Sequence, residues 1–155
     1  MEKIASFTVN HNVLVPGLYL SRRDGEVSTF DLRFKKPNTG DLLTNAQLHS
    51  VEHMIATLLR NSPERDAVIY FGPMGCQTGF YFLFDSRRLT DAEAIALLQR
   101  VFTAGAAYDG PMPGKSAAEC GNYRNLDAAL ARVCCAFYAD VIRRWTPEDL
   151  VYPEA

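Results

Sequence analysis

The sequence has little of what marks a membrane protein or a nucleic-acid-binding protein. No run of apolar residues approaches the roughly 18 that a membrane-spanning helix needs. There are 16 Lys and Arg against 18 Asp and Glu, and a net charge of −2 offers no basic surface for a phosphate backbone. The start, MEKIASFTVNH, lacks the basic residues and apolar run of a secretory signal. We therefore expect a cytoplasmic protein that binds neither membranes nor nucleic acids.

Cysteine is sparse, and its four positions do not suggest a disulfide framework. Cys76 and Cys120 are far apart, whereas Cys134 and Cys135 are adjacent and cannot readily bond each other. In the reducing cytosol each thiol is either a packing group or a chemical one. The apolar neighbours of Cys134 and Cys135 favour packing. No repeat, low-complexity tract or long linker divides residues 1–155, which predicts a single domain.

Hydrophobic periodicity predicts an α+β fold, with helices packed on one face of an antiparallel sheet. In residues 29–34, Phe30, Leu32 and Phe34 alternate with Asp31 and Arg33, as in a half-buried strand. We expect the face that carries Asp31 and Arg33 to be solvated. Further strands are predicted over residues 67–71 and 80–84. Helices are predicted over about residues 44–60, from a capping box at Thr90, and over about 126–145 after an Asn125 cap.

The sharpest chemical signal is an H-x-x-E-H motif in the first predicted helix, His49-Ser50-Val51-Glu52-His53. Residues four apart lie one turn above each other, so His49 and His53 can both face one metal ion. Glu52 lies beside them as a proton acceptor. The alternative is two solvated histidines on an amphipathic helix. The metal interpretation is favoured because both histidines border the apolar stripe of the helix instead of opposing it.

Two histidines need a third ligand to form a metal site. Cys120 lies before a glycine in an irregular segment, although a cysteine judged by itself is more often a small buried residue. A thiolate and two imidazoles leave one coordination position open, as catalytic sites require. With Glu119 as the ligand, the motif would instead be that of an inverted-motif zinc hydrolase or peptidase. A metal-stabilised binding module is a third interpretation.

Cys76 lies in a turn between two predicted strands, in the segment Met74-Gly75-Cys76-Gln77-Thr78-Gly79. A core cysteine is expected inside a strand or helix, whereas a thiol on a tight turn is presented to its surroundings, and nearby amides can stabilise a thiolate. The turn alone does not decide between a reactive and a structural cysteine. Neither a peptidase, which usually needs a longer chain, nor a binding module explains it.

Together these segments resemble the S-ribosylhomocysteine lyase family, also called LuxS or autoinducer-2 synthases. The matching segments follow the family's order from residue 6 to 122: Ser6-Phe7, Asn10-His11-Asn12, Phe30-Asp31-Leu32-Arg33-Phe34, Pro37-Asn38, the H-x-x-E-H motif, the string PMGCQTGFY at residues 73–81, and Glu119-Cys120-Gly121-Asn122. The string PMGCQTG is highly specific. The resemblance implies a homodimer of α+β subunits with its active sites at the subunit interface.

The resemblance also implies an activity and a set of residues. The reaction is cleavage of S-ribosylhomocysteine to homocysteine and 4,5-dihydroxy-2,3-pentanedione, the autoinducer-2 precursor, which serves quorum sensing or the activated methyl cycle. One divalent metal per chain is implied, Fe(II) with zinc or cobalt as substitutes, and no organic cofactor. By residue, His49, His53 and Cys120 match the metal ligands, Cys76 and Glu52 the general acid/base pair, and Ser6, His11 and Arg33 the contacts to the sugar.

One segment departs from the family pattern. An Asp usually lies six residues ahead of the turn cysteine and a Ser precedes the proline, but this chain has Tyr70 and Gly72 there. The Asp helps to hold the homocysteine end of the substrate. We therefore expect recognition of the amino-acid end to differ here, with the sugar chemistry unchanged.

Overall fold

The structure, a computed structural model, describes residues 1–154, and over this range the chain forms four β-strands and three α-helices. The strands are β1 (Gly17–Asp24), β2 (Val27–Arg33), β3 (Val68–Pro73) and β4 (Gly79–Asp85). The helices are α1 (Asn45–Arg60), α2 (Asp91–Ala107) and α3 (Ala128–Val141). Short 3-10 helices lie at Ala5–Phe7, Arg65–Ala67, Tyr123–Asn125 and Pro147–Leu150. Within residues 1–154, none of the helices is both long enough and apolar enough to cross a bilayer.

The strands form one antiparallel sheet in the order β1-β2-β4-β3. The central pair runs without interruption from Val27 opposite Asp85 to Arg33 opposite Gly79. Gly25 has a φ of 60° in the turn that joins β1 to β2, a conformation that glycine adopts without strain. The predicted α+β class and antiparallel sheet are confirmed. The outer strand β1 was not delimited from the sequence.

One face of the sheet and the three helices share a core. The β2 side chains Phe30 and Leu32, and Phe34 just beyond them, are at most 1% exposed, as their alternation predicted. Phe80, Phe82 and Phe84 of β4 are fully buried beside them. Tyr138 of α3 stacks on Phe34, with 4.2 Å between ring centroids. Because burying each large apolar side chain contributes about 1.5–3 kcal/mol, this aromatic layer fixes how the helices lie on the sheet.

Local sequence signals set the helix starts, with one exception. Thr44 caps α1 and Thr90 caps α2, each in a reciprocal capping box. The predicted start of the last helix at an Asn125 cap was wrong. Asp127 caps α3 instead, because its Oδ1 accepts hydrogen bonds from the amides of Ala129 and Leu130. The helix also ends earlier than expected, at Val141.

The opposite face of the sheet is not solvated, contrary to our expectation. Asp31 is 1% exposed and Arg33 is 3% exposed, although both lie on the polar face of β2. The segment after α3 returns across this face. There the Tyr152 ring stacks on Tyr19 of β1, with 5.0 Å between centroids. The ion pair of Asp31 and Arg33 is therefore covered by residues remote from it in sequence.

The outer edge of the sheet at β3 is irregular. The pairing of β3 with β4 shifts register between Val68 and Tyr70. Arg60, the last residue of α1, donates one hydrogen bond to the carbonyl of Val68 (2.7 Å) and another to that of Ile69 (2.9 Å). One guanidinium thus joins the end of a helix to the free carbonyls of the bulge.

Candidate metal and catalytic site

Helix α1 presents His49 and His53 on one face, and the loop between α2 and α3 brings Cys120 to them. The ligand atoms of these three partly buried residues all lie within 4.8 Å of one another. Cys120 Sγ is 3.3 Å from His49 Nε2. A turn in which the Cys120 amide donates to the Ser116 carbonyl at 3.1 Å shapes this part of the loop. The predicted i, i+4 histidine pair and Cys120 are thus brought together.

Hydrogen bonds on the far side of each ring orient both imidazoles. His49 Nδ1 lies 2.5 Å from Asn125 Oδ1, and His53 Nδ1 lies 3.0 Å from the Pro113 carbonyl oxygen. Both oxygens can only accept, so Nδ1 is the donor in each contact and Nε2 is the nitrogen left for a metal ion. Gly114 allows the loop this close, because a Cβ there would lie 2.7 Å from His53 Nδ1. Nothing in the sequence indicated this role for Asn125.

The three donors fit a divalent transition metal. Tetrahedral coordination by one thiolate and two imidazoles places the donor atoms roughly 3.3–3.8 Å apart. The 3.3 Å from Cys120 Sγ to His49 Nε2 matches this spacing, and all three ligand atoms lie within 4.8 Å of one another. Glu119, the ligand that the peptidase interpretation needs, is exposed and accepts a hydrogen bond from Ser116 Oγ at 2.6 Å. The cluster therefore contains Cys120 and not its neighbour.

The Cys76 turn is attached to the beginning of α1. Gln77 has a φ of 62°, a left-handed backbone conformation that few residues other than glycine adopt. Its carbonyl accepts from the Leu43 amide at 2.9 Å, and its side-chain amide donates to the Leu43 carbonyl at 3.0 Å. These two bonds hold the turn beside the N-terminus of the helix that carries His49. Cys76 itself is exposed, as predicted for a presented thiol.

Arg33 connects the buried face of the sheet to Cys76. Its Nε and Nη2 donate to the two Asp31 oxygens at 3.1 and 2.6 Å. Its Nη1 donates to Thr78 Oγ1 at 2.7 Å and lies 3.8 Å from Cys76 Sγ. Burial by itself would lower the pKa of Arg33, but the Asp31 carboxylate outweighs it and the pKa is raised. The guanidinium is thus a permanent positive charge beside the thiol.

Ser6 and His11 reach the same place from the N-terminal segment. A cavity of about 310 Å³ is lined by Ser6, Phe7, His11, Arg33, Cys76 and Tyr81. A second cavity, of about 400 Å³, is also lined by His11 and Cys76, together with Leu42. The sugar-contact residues that the resemblance implied are therefore neighbours of Cys76. Glu52 is partly buried on α1 and lines neither cavity.

The comparison with known proteins agrees with this arrangement. The model of the S-ribosylhomocysteinase (LuxS) family matches residues 4–148. The chain belongs to this family. It is 42% identical to the S-ribosylhomocysteine lyase of Finegoldia magna in an alignment 158 residues long, which covers 99% of this chain and 100% of that protein. It is 41% identical to that of Clostridium beijerinckii and 42% identical to that of Desulfotalea psychrophila, with 99% of both chains covered in each case.

Tyr70 and Gly72, the two departures from the LuxS pattern, are in contact with each other. The Tyr70 side chain lies along β3 so that a Cβ at Gly72 would collide with its phenol oxygen. A serine at position 72 is thus incompatible with the observed position of Tyr70. Gly72 pairs with Tyr81, which lines the Cys76 cavity. The phenol therefore occupies the space beside that cavity which a side chain at position 72 would otherwise fill.

Proposed function

We propose that this protein is an S-ribosylhomocysteine lyase, which cleaves its substrate to homocysteine and 4,5-dihydroxy-2,3-pentanedione. The observation that carries the proposal is the cluster of His49, His53 and Cys120. It occurs in a chain of the LuxS family whose relatives at 41–42% identity bear that enzyme's name. The fold supplies the cluster, a charged cysteine turn and a cavity, which are the parts that this reaction needs.

The reaction explains why those parts are needed. The thioether is on C5 of the ribose, and the opened sugar has its aldehyde at C1. A thiolate can leave by β-elimination only when a carbonyl stands at C3, because only then is the C4 hydrogen acidic. The carbonyl must therefore move from C1 to C2 to C3 before the C–S bond breaks. Each move requires proton transfer between neighbouring carbons and oxygens.

The ligand cluster would hold one divalent ion, Fe(II) by the family resemblance, with zinc or cobalt as substitutes. When bound, such an ion supplies Lewis acidity that stabilises negative charge on the sugar oxygens. The chain's own contribution is to fix both imidazoles through Asn125 and Pro113, which leaves Nε2 of each ring for the ion.

Cys76 and Glu52 are the proposed general acid/base pair. Arg33 Nη1 lies 3.8 Å from Cys76 Sγ and places a positive charge beside the sulfur that would accept a proton from carbon. Glu52 lies on α1 between the two histidines of the motif, where a carboxylate can serve the other side of the sugar. Ser6 and His11, in the cavity with Cys76, are placed to donate or accept hydrogen bonds at sugar hydroxyls.

The active form is proposed to be a homodimer with its active sites at the interface. In the single chain, Phe7 is 69% exposed and Leu42 is 42% exposed, and both lie at cavities that include Cys76. Apolar rims of this kind are typical of surfaces that another chain covers. We place the enzyme in the cytoplasm, where its product enters methyl-cycle recycling or autoinducer synthesis and quorum sensing.

A thiol-release assay on protein purified without air tests the function. We expect about one divalent ion per chain and release of homocysteine from S-ribosylhomocysteine. Cys76→Ala should keep the metal and lose turnover by at least about 10²-fold, while the matched control Cys134→Ala, a buried thiol, keeps both. Metal-loaded protein that releases no thiol but hydrolyses peptides would replace this proposal with the peptidase one.

A further inference from the structure

A tyrosine of the C-terminal segment contacts the charged pair behind Cys76. Tyr152 donates a hydrogen bond from its hydroxyl to Asp31 Oδ2 at 2.8 Å. The same carboxylate holds Arg33, whose Nη1 reaches Cys76. We propose that Tyr152 is a positioning residue, whose hydroxyl orients the Asp31 carboxylate so that Arg33 stays directed at the Cys76 thiol.

The hydrogen bonds form a continuous chain in which each group has a defined partner. Asp31 Oδ1 accepts from Arg33 Nε, and Oδ2 accepts from both Arg33 Nη2 and Tyr152. Both oxygens of the carboxylate are thus occupied, and Arg33 Nη1 remains to contact Thr78 and Cys76. Asp31 and Arg33 are 1% and 3% exposed, so water does not compete for these bonds. At this burial the orientation of one carboxylate determines the direction of the guanidinium.

The position of Tyr152 is itself fixed by packing. Its ring stacks on Tyr19. The segment after Leu150 also lines a cavity of about 620 Å³ with Thr8, Val9 and Asn10, the residues that lead to His11. Burial, and then Asp31, raise the pKa of Tyr152, so its phenol remains a protonated donor. The LuxS family match ends at residue 148, so the proposed role comes from this chain's own contacts.

Loss of the Tyr152 hydroxyl should lower the reactivity of the Cys76 thiol. Without the Tyr152 donor, the negative charge of the Asp31 carboxylate is less neutralised, and it attracts the Arg33 guanidinium more strongly. The carboxylate is also less firmly oriented. Both effects lower the positive potential that the guanidinium exerts at the thiol. The other polar groups around Cys76 share two features: they line its two cavities, and within the described residues none of them hydrogen-bonds to the Tyr152 hydroxyl. They are Ser6, His11, Asn38, Thr78 and Tyr81. Cys76 should therefore react more slowly with an electrophile.

The test compares Tyr152→Phe with Tyr19→Phe. The two substitutions remove one hydroxyl each from the same stack, but Tyr19 donates to the Val15 carbonyl and not to Asp31. For Tyr152→Phe we expect the rate of Cys76 alkylation by iodoacetamide at fixed pH, and kcat, to fall by about fivefold, since hydrogen bonds to charged groups are the strong ones. KM and metal content should stay near wild-type values, whereas the melting temperature should fall by a few degrees because a hydrogen bond to a buried charge is lost. Tyr19→Phe should change neither rate.

Each outcome decides the proposal. Unchanged alkylation in a folded Tyr152→Phe protein would overturn it, and so would an equal loss in Tyr19→Phe, which would assign the effect to the stack. Tyr152→Leu, which lacks both ring and hydroxyl, must slow alkylation at least as much. The kinetic part rests on the proposed function. If the wild type releases no homocysteine, that function fails, while the alkylation comparison still decides the role of Tyr152.

Discussion

Removing the side-chain carbonyl of Asn125 should weaken metal binding without removing a metal ligand. In Asn125→Ala the Nδ1–H of His49 loses an acceptor 2.5 Å away, and the imidazole loses the contact that fixes its tautomer and orientation. Partners of this kind change metal affinity by about 10- to 100-fold, which is about 1.4–2.7 kcal/mol. Asn125 is itself held by Asn45 Oδ1 at 2.6 Å, so the acceptor is well fixed and we expect about a 30-fold loss.

The assay is competition for zinc between the apoprotein and a chromophoric chelator in the absence of air. Asn45→Ala, one bond further from the ring, should cost about threefold, since its effect on His49 is indirect. Asn125→Asp should recover most of the affinity, because a carboxylate also accepts from Nδ1–H. The reasoning fails if Asn125→Ala binds zinc as tightly as the wild type, or if Asn45→Ala is the more damaging change.

Four further outcomes follow from the same geometry. Metal analysis should find Cys120→Ala depleted and Glu119→Ala fully loaded; the opposite result would favour the peptidase. Brief iodoacetamide treatment of the loaded protein should modify Cys76 first and Cys135 last, because burial raises the pKa of Cys135 to about 12; early reaction of Cys135 would contradict this. Tyr70→Asp should lower KM with a smaller change in kcat, since a carboxylate can pair with an ammonium group; a kcat effect at constant KM would argue against it. Light scattering at micromolar concentration should give a dimer, and an active monomer would refute the interface proposal.

What the sequence predicted well was local in the chain. The histidine pair follows from the period of one helix, and the caps at Thr44 and Thr90 follow from motifs of four residues. The sheet face bearing Phe30, Leu32 and Phe34 follows from alternation. Such features need no knowledge of the distant chain, because the energies that set them act between near neighbours. Cys120 is remote from the histidine pair in the chain, and its assignment as third ligand depended on the resemblance to the family.

The features that were missed or mistaken depend on contacts between remote segments. Asp31 and Arg33 are a polar pair on an alternating strand, which usually indicates solvent, but Tyr152 closes over them from 121 positions away. Asn125 is of a residue type that often caps helices, and it precedes a helix. Its side chain nevertheless hydrogen-bonds to His49, 76 positions away. Local preference could not show either role, because a tertiary hydrogen bond competes successfully with the local one.

The bonds from Arg60 to the carbonyls of Val68 and Ile69 bear on how the molecule behaves in a crowded solution. An outer strand with free carbonyls can pair with the same strand of another molecule, and Ile69 and Tyr70 are 40% and 50% exposed. Here the guanidinium already occupies the two acceptors, and the shifted register breaks the flat edge that a second strand would need. The end of α1 therefore protects the sheet from edge-to-edge aggregation while the other end of the helix carries the metal ligands.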